Sequence, residues 1–455
     1  MTTTQGGTPP VHPPDRSGPP PPKQARRFPV SWPARTPGSA SYGRLAPIRL
    51  DGTRARQLGV GIVSGMGRDP DGLLARLLRR IFGRGSPLRR LDWILIVAVL
   101  GLCSIGTALV WAATNPAIPS AHDPFLTKQL LNIAIGVVLM AGVSMLDYRQ
   151  LRLYSPIVLA VSCLGLLIVL TPFGTIVNGA RSWIALPGGF QIEPSEYAKL
   201  SLILVTAIVL GEITQGQTRP TPRALMIAIG CAAVPLVLVV AEPDLGVVML
   251  MIAMLIGLIA LSGVKLRWLV TIVAAGAFGV AAVINLHLLK AYQASRLTSF
   301  LHPSADPRGT GYSAYQSKIA IATGGLTGKG LFHGQLIAGG FVPEQHTDFI
   351  FAVAGNELGF AGEMVIIGLL AVLLLRAFRI AAKADDQFGM LVASGIGIWF
   401  AVQSFINIGM TIGIMPVTGL PLPFVSYGGS AMFADMIAIG CLQAVYRHRN
   451  VFSDH

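Results

Sequence analysis

The chain has 455 residues and a formal net charge of +14, with 52% hydrophobic residues and only 12% charged ones. A soluble domain carries about a quarter charged residues, so this composition excludes an ordinary soluble enzyme. The hydrophobic residues gather into about ten runs of roughly 20, the length a helix needs to cross the hydrocarbon core, and that number is too large for buried core helices.

Residues 1–72 are rich in Pro, Gly, Thr and Arg without a sustained hydrophobic period, and a disordered cytoplasmic tail is expected there. From Leu73 to Arg84 the apolar residues Leu74, Leu77, Leu78 and Ile81 alternate with Arg76, Arg79, Arg80 and Arg84 at helical spacing, so residues 73–90 read as an amphipathic juxtamembrane segment. Residues 1–90 hold sixteen Lys and Arg against four acids, +12 of the total charge. A basic arm suits nucleic acid, but one placed just before a membrane span marks the cytoplasmic side and touches anionic membrane lipids, and no nucleic-acid partner is expected. The first 20 residues are polar and proline-rich; no cleavable signal peptide is expected, and the first span is read as a retained anchor.

The expected spans are Leu91–Ala113, Gln129–Leu146, Tyr154–Phe173, Ser195–Leu210, Ala224–Val240, Leu245–Leu261, Trp268–Leu286, Phe360–Leu375, Leu391–Ile414 and Val425–Ala444. The sequence thus predicts an all-α polytopic membrane domain over residues 91–449, followed by a short cytoplasmic tail at 450–455. Ten spans put both termini on one side, and with the tail inside, 27 of the 35 Lys and Arg fall in inner segments, as the positive-inside rule requires. Cys103, Cys163, Cys231 and Cys441 all sit in apolar runs with no pairing or ligand spacing and read as core residues.

Two outward loops stand out, 171–194 and a longer one over 288–349. The longer loop carries five of the eight cations that the inner segments leave over, Lys290, Arg296, Arg308, Lys318 and Lys329. Loops of such length without evident secondary structure are functional or disordered; their glycines, aromatics and paired charges predict chemistry on the outer face.

The longer loop reads Asp306-Pro-Arg308-Gly-Thr-Gly-Tyr, then Gln316-Ser-Lys318-Ile-Ala-Ile, then Gly324-Gly-Leu-Thr-Gly-Lys329-Gly. With Asn178-Gly-Ala-Arg181-Ser-Trp183, Pro194-Ser-Glu196-Tyr-Ala-Lys199, Pro343-Glu-Gln-His346-Thr-Asp348, Asn407-Ile-Gly-Met and Gly419-Leu-Pro-Leu-Pro-Phe-Val-Ser426-Tyr-Gly-Gly-Ser430, it resembles the signature of the SEDS (shape, elongation, division and sporulation) family over about residues 91–449. Lys318 and the Gly-Lys-Gly turn resemble the elongation branch, RodA of the actinobacterial type, more than the division branch, FtsW. The resemblance implies a GT-C-like fold and a peptidoglycan glycosyltransferase that polymerises lipid II into β-1,4 glycan on the outer face of the cytoplasmic membrane. It further implies a class B penicillin-binding protein with transpeptidase activity as partner, within a set of elongation-complex proteins.

Such a reaction needs a base for the acceptor hydroxyl and cations for the departing pyrophosphate. The resemblance assigns the catalytic carboxylate to Asp306; the plainer reading is an Asp-Pro turn. Glu196 and Lys199 are three apart on one helix face, and charges at membrane depth face a polar cavity or neutralise one another as a structural pair. Arg181 and Lys318 are candidate pyrophosphate contacts or, alternatively, interfacial anchors. Gln316, Ser426 and Ser430 are counted as substrate-binding, and the turn Tyr427–Ser430 either cradles an anion or packs helices closely. Asp244 reads as a helix N-cap. Glu242 departs from a family position often held by Gln, and Asn356 from one commonly held by Glu, while Glu357 stays open between structure and function. His346 and Asp348 are too sparse for a metal site, and no protein-built metal site is expected; a divalent cation, Mg or Mn, shared with pyrophosphate remains the expectation.

Overall fold

The computed structural model describes residues 90–114, 124–177, 180–186, 190–212, 219–242, 244–286, 300 and 310–452. The basic tail, most of the juxtamembrane segment, residues 453–455 and the Asp306 stretch with Arg308 lie outside these residues.

The described elements are α1 (Trp93–Thr114), α2 (Pro124–Met145), α3 (Tyr148–Leu170), β1 (Gly174–Val177), β2 (Ala180–Leu186), β3 (Phe190–Ile192), α4 (Pro194–Gly211), α5 (Pro222–Ala241), α6 (Leu245–Leu261), α7 (Leu266–Asn285), α8 (Thr310–Gly324), α9 (Gln335–Ala338), α10 (Ile350–Ala382), α11 (Gln387–Ile412) and α12 (Gly429–Phe452). Each of the ten expected spans falls on one of these helices. Among the described residues, eight helices are long and apolar enough to cross a membrane; α6 and the apolar part of α7 are shorter. At 1.5 Å per residue the 17 residues of α6 still extend about 26 Å.

Local chemistry sets the helix ends. Asp147 and Gln150 close a capping box at the start of α3, Thr221 caps α5 ahead of Pro222, Asp386 caps α11, and Gly413 ends α11 in the left-handed conformation. Asp244 is the N-cap of α6, its carboxylate accepting from the Val247 N–H at 3.1 Å.

The helices sort into an inner and an outer set. Of the apolar windows of α4, α11 and α12, 78%, 72% and 72% of residues are buried, against 22%, 22% and 28% for α2, α3 and α5. On the outer set, apolar side chains such as Val138, Leu153, Leu164 and Val237 are exposed, as a surface solvated by lipid chains requires. Among the described residues the enclosed charges Glu196, Lys199 and Asp435 lie on the inner set.

At the end where α1 begins, Asp92 is enclosed and joins three helices. Its Oδ2 accepts from Arg376 Nε at 2.8 Å and Nη2 at 2.5 Å, its N–H donates to Gln443 Oε1 at 2.9 Å, and Gln443 Nε2 donates to its carbonyl at 3.0 Å. Arg447 closes the same end by donating to the Ser144 carbonyl.

The opposite end carries structure that hydropathy alone does not reveal. The 171–194 loop contains an antiparallel sheet in the order β1-β2-β3, pairing Gly174 with Ile184 and Ile184 with Ile192. The 288–349 loop contains α8 and the single turn α9. Helix α10 starts ten residues before its expected span and breaks at Gly359, where φ is 68°. The turn after α8 satisfies the broken ends: the N–H groups of Lys329 and Gly330 donate to the carbonyls of Asn356 and Glu357, at 3.0 and 2.9 Å. Those of Phe360 and Ala361 donate to Gly325 and Leu326, at 2.9 and 3.0 Å. Backbone may leave helical geometry at membrane depth when its polar groups are met in this way. The approach requires glycine, since a Cβ at Gly324 would lie 1.8 Å from the Gly355 carbonyl oxygen and one at Gly328 2.0 Å from that of Glu357.

Gly328 combines that overlap with a φ of 79°. Gly328→Ala is expected to destabilise the fold by more than about 2 kcal/mol, the left-handed penalty alone being about 1–2 kcal/mol. Gly276→Ala, in α7 with open space around its Cβ position, is the control and should be neutral to slightly stabilising. Thermal unfolding in detergent compares the two.

Candidate active site

Glu196 and Lys199 lie one turn into α4, enclosed at 1% and 0% exposure. Lys199 Nζ is 2.7 Å from Glu196 Oε2 and donates to Gln403 Oε1 of α11 at 3.1 Å, while the Trp399 ring centroid lies 4.7 Å away. Gln403 is itself fixed from both sides. Trp399 Nε1 donates to its Oε1 at 2.7 Å, and its Nε2 donates to the Pro421 carbonyl at 2.8 Å. The ammonium is therefore held by a carboxylate, an amide oxygen and an aromatic face, contacts that together offset the cost of burying a charge.

Asp435 of α12 completes this centre. It is 1% exposed, lies within electrostatic range of both Lys199 and Glu196, and accepts from the Phe424 N–H, while its Oδ1 has no hydrogen-bond partner. One cation thus faces two enclosed carboxylates.

Toward the sheet end, Ser430 ties the start of α12 to the start of α4. The Glu193 N–H donates to Ser430 Oγ at 3.0 Å, Ser430 Oγ donates to the Glu193 carbonyl at 3.2 Å, and the Tyr197 hydroxyl bonds the same group. Ser426 Oγ accepts from the Leu422 N–H at 2.8 Å, closing the preceding turn. Both hydroxyls are buried and already engaged.

The other candidates lie elsewhere. Lys318 of α8 is exposed, with its Nζ 3.1 Å from where a Cβ on Gly413 would stand, so its charge lies at the C-terminus of α11 and meets the negative end of that helix. Neighbouring Ser317 donates to the Thr411 carbonyl at 2.9 Å, and Gln316 is half-buried on the same helix. Arg181 of β2 packs its stem over Gly174 and donates from Nη1 to the Thr171 carbonyl at 3.2 Å. The structure thus brings Glu196, Lys199, Ser426 and Ser430 onto the packed α4 and α12 region; no contact among the described residues draws Arg181 or Lys318 into it.

Asn356 donates to the Ala320 carbonyl at 3.0 Å and to Thr323 Oγ1 at 2.9 Å, binding α8 to α10. Glu357 Oε2 accepts from the Phe332 N–H at 3.2 Å. Both serve the broken helix. Among the described residues no three His, Cys, Asp or Glu side chains converge as metal ligands.

A family model described as "Cell cycle protein", named for FtsW, RodA and SpoVE, matches residues 91–451. The chain belongs to this family. Among its relatives, peptidoglycan glycosyltransferase MrdB of Escherichia coli (strain K12) is 36% identical over 364 residues, covering 80% of this chain and 95% of MrdB. Stage V sporulation protein E of Bacillus subtilis (strain 168) is 38% identical over 362 residues, covering 78% and 97%. The solved structure of the rod shape determining protein RodA of Thermus thermophilus shares 27% identity and a TM-score of 0.58, covering 79% of this chain and 97% of that one. A structure described as "Structural coordination of polymerization and crosslinking by a peptidoglycan synthase complex" shares 29% identity and a TM-score of 0.67, covering 79% and 98%. The helical FtsW/RodA/SpoVE fold is thus present, in a multi-pass membrane protein.

Within that fold, sequence reasoning passed over Gln403, Trp399 and Asp435. The signal for Asp435 was available: a lone acid inside an apolar run is costly and marks a polar interior. Gln403 and Trp399, one helical turn apart, carried no such mark.

Near the same end, Glu193 at the N-cap of α4 is held well above its ordinary pKa by burial and then by the charges of Glu196 and Asp244, against the opposing Ser195 hydroxyl and Lys199. Glu242 is 1% exposed with neither carboxylate oxygen hydrogen-bonded, and burial, with Asp244 adding to it, pushes its pKa up to about 8.

Two outcomes follow from this geometry. Lys199→Met should cost roughly 3–5 kcal/mol because it leaves Glu196 charged and enclosed, and adding Glu196→Gln should recover most of that loss; thermal unfolding of the two variants measures the coupling. For Glu242 the folded-state pKa stands above the unfolded one, so its contribution to stability is full below about pH 4.3 and is lost as the pH rises through about 8. Glu242→Gln removes that loss, and its Tm advantage over the wild type should widen from about pH 6 to about pH 9.

Proposed function

We propose that the chain is a peptidoglycan glycosyltransferase that polymerises lipid II into β-1,4 glycan strands for cell elongation and shape. The observation that carries this reading is its correspondence, across 95% of the relative's length, with a protein named as a peptidoglycan glycosyltransferase. The enclosed charges on α4 and α12, Glu196, Lys199 and Asp435, support it, because a bundle without polar chemistry would not keep them.

In this reading the acceptor sugar hydroxyl attacks the anomeric carbon of the lipid-linked donor with inversion, Asp306 takes the hydroxyl proton, and the lipid pyrophosphate leaves with the bonding electron pair. Asp306 lies outside the described residues. For Lys199 to neutralise the charge that develops on the leaving group, its bonds to Glu196 and Gln403 would have to yield to the pyrophosphate oxygens. A divalent cation, Mg or Mn, would be held by one or two carboxylates together with the substrate phosphates, as such ions favour. It would supply further neutralisation of the pyrophosphate.

The Lys and Arg distribution supports a topology with both termini cytoplasmic and the sheet end, with the 288–349 segment, facing outward. The structure described as coordinating polymerization and crosslinking in a peptidoglycan synthase complex supports a transpeptidase partner of the class B penicillin-binding type.

The full chain, purified with that partner and supplied with lipid II in detergent, should make glycan polymer. Asp306→Asn should lower the rate by at least about a hundredfold with the Tm unchanged. Equal polymer from this variant removes Asp306 from the reaction, and mapping residue 306 to the cytosolic side removes the reading as a whole.

A further inference from the structure

The start of α12 remains unused by the chemistry above once the Ser426 and Ser430 hydroxyls are accounted for. Helix α12 runs 24 residues from Gly429, and its first intrahelical bond joins the Met432 N–H to the Gly428 carbonyl at 3.0 Å. The N–H groups of Gly429, Ser430 and Ala431 therefore project beyond the helix end, and glycine at 428 supplies no side chain to cap them. Among the described residues nothing accepts from them. Gly428 and Gly429 are half-exposed, so the first turn is reachable.

Two amides of α2 face this turn. Asn132 is 4% exposed, and a Cβ on Gly429 would lie 3.2 Å from both its Nδ2 and its Oδ1. Gln129, 0% exposed and three residues earlier, donates from Nε2 to the Ser426 carbonyl at 3.4 Å. Asn132 Oδ1 and Gln129 Oε1 are both buried without a hydrogen-bond partner. The Gln129 NH₂ stays on the Ser426 carbonyl, but no hydrogen bond among the described residues holds the Asn132 amide, which can turn its NH₂ to this turn; the ligand that would satisfy that NH₂ and the three N–H groups together is an anion. Lys128 is exposed four residues before Asn132, on the same face of α2, with no ion-pair partner among the described residues. Phe125, His346 and Tyr427 wall one side, with ring centroids 5.1, 5.4 and 5.7 Å apart, and the Tyr427 N–H donates to the His346 carbonyl at 2.9 Å.

We infer that the first turn of α12, with Asn132 and Lys128 of α2, is a seat for the diphosphate group of the lipid-linked substrate. This rests on the glycosyltransferase reading for the identity of the ligand, though the phosphate chemistry is independent of it. The ordered turn before Gly428 fixes the N–H groups, the aromatic wall keeps water from one side, and Lys128 supplies the full charge that a helix end lacks.

The test uses the full chain in detergent and inorganic pyrophosphate as probe, followed by calorimetry and thermal shift. The wild type should bind; Lys128→Ala, at an exposed position, should weaken binding about tenfold, and Asn132→Leu at least as much. Gly429→Ala, which places a methyl against the Asn132 amide in a residue suited to helix, gives a second folded variant with the same expected loss. No binding by the wild type, or unchanged affinity in Lys128→Ala and Gly429→Ala, overturns the seat. In nanodiscs of phosphatidylcholine with and without phosphatidylglycerol, tight retention of the anionic lipid that the variants abolish, with no competition from pyrophosphate, assigns the turn to membrane headgroups and overturns the donor assignment. Polymerisation by the same proteins separates the two readings: pyrophosphate binding without any glycan from the wild type leaves the seat standing and removes the enzyme, whereas glycan made by the variants with an unchanged KM for lipid II removes the seat.

Discussion

Everything in the inner helices depends on one ammonium group kept charged where water does not reach. Lys199 is completely enclosed, and only the combined contacts of Glu196, Gln403 and the Trp399 ring make that burial tolerable. Each contact comes from an element that must itself be placed. Glu196 shares α4, Trp399 and Gln403 share α11, and Gln403 is turned the right way by the Pro421 carbonyl before α12. The packing of α4, α11 and α12 is therefore the same fact as the position of the charge. This also explains why these helices are the ones withdrawn from lipid, while α2, α3 and α5 spend their surfaces on apolar side chains facing outward.

The two ends of the bundle solve the problem of unsatisfied polar groups differently. At the α1 start, side chains do it: Asp92, Arg376 and Gln443 form a closed exchange of hydrogen bonds that uses the Asp92 carboxylate, N–H and carbonyl. At the sheet end, backbone does it. The turn after α8 inserts its own N–H and carbonyl groups into the break in α10, and only glycine allows the chains to come so close.

How much of this could be read from the sequence follows from the range of each signal. Hydropathy acts over about 20 consecutive residues, so a helix was legible at each of the ten places, eight of them long and apolar enough to cross a membrane, and the N-cap role of Asp244 was legible because a cap is a local event. The sheet was not, since strands of four, seven and three residues fall below any periodic signal and are held mainly by one another. Helix α8 lay hidden in a loop because Thr310–Gly324 presents little contrast between its faces. The Gly324–Gly330 run stood out as a signature and was grouped with the chemistry, yet its role in the structure is close approach of backbone to Asn356 and Glu357. Asp435 was missed for the opposite reason: it sits inside a run read only for its apolar neighbours.

The Asn at position 356 shows how a departure from a family pattern becomes intelligible once contacts are known. Its Nδ2 donates to both the Ala320 carbonyl and Thr323 Oγ1, and a charged glutamate at the same place would have no proton to give that carbonyl. A carboxylate could accept from the Thr323 hydroxyl, but it would leave the Ala320 carbonyl facing a negative charge, and a protonated carboxyl could donate to one acceptor, not two. Asparagine meets both without a charge, so in this chain the junction of α8 with α10 is a neutral clamp. The residue beside it, Glu357, retains a carboxylate and uses it on the Phe332 N–H, one turn of chain away from the glycine run. The Glu357 carboxylate is thus occupied by backbone and serves the junction.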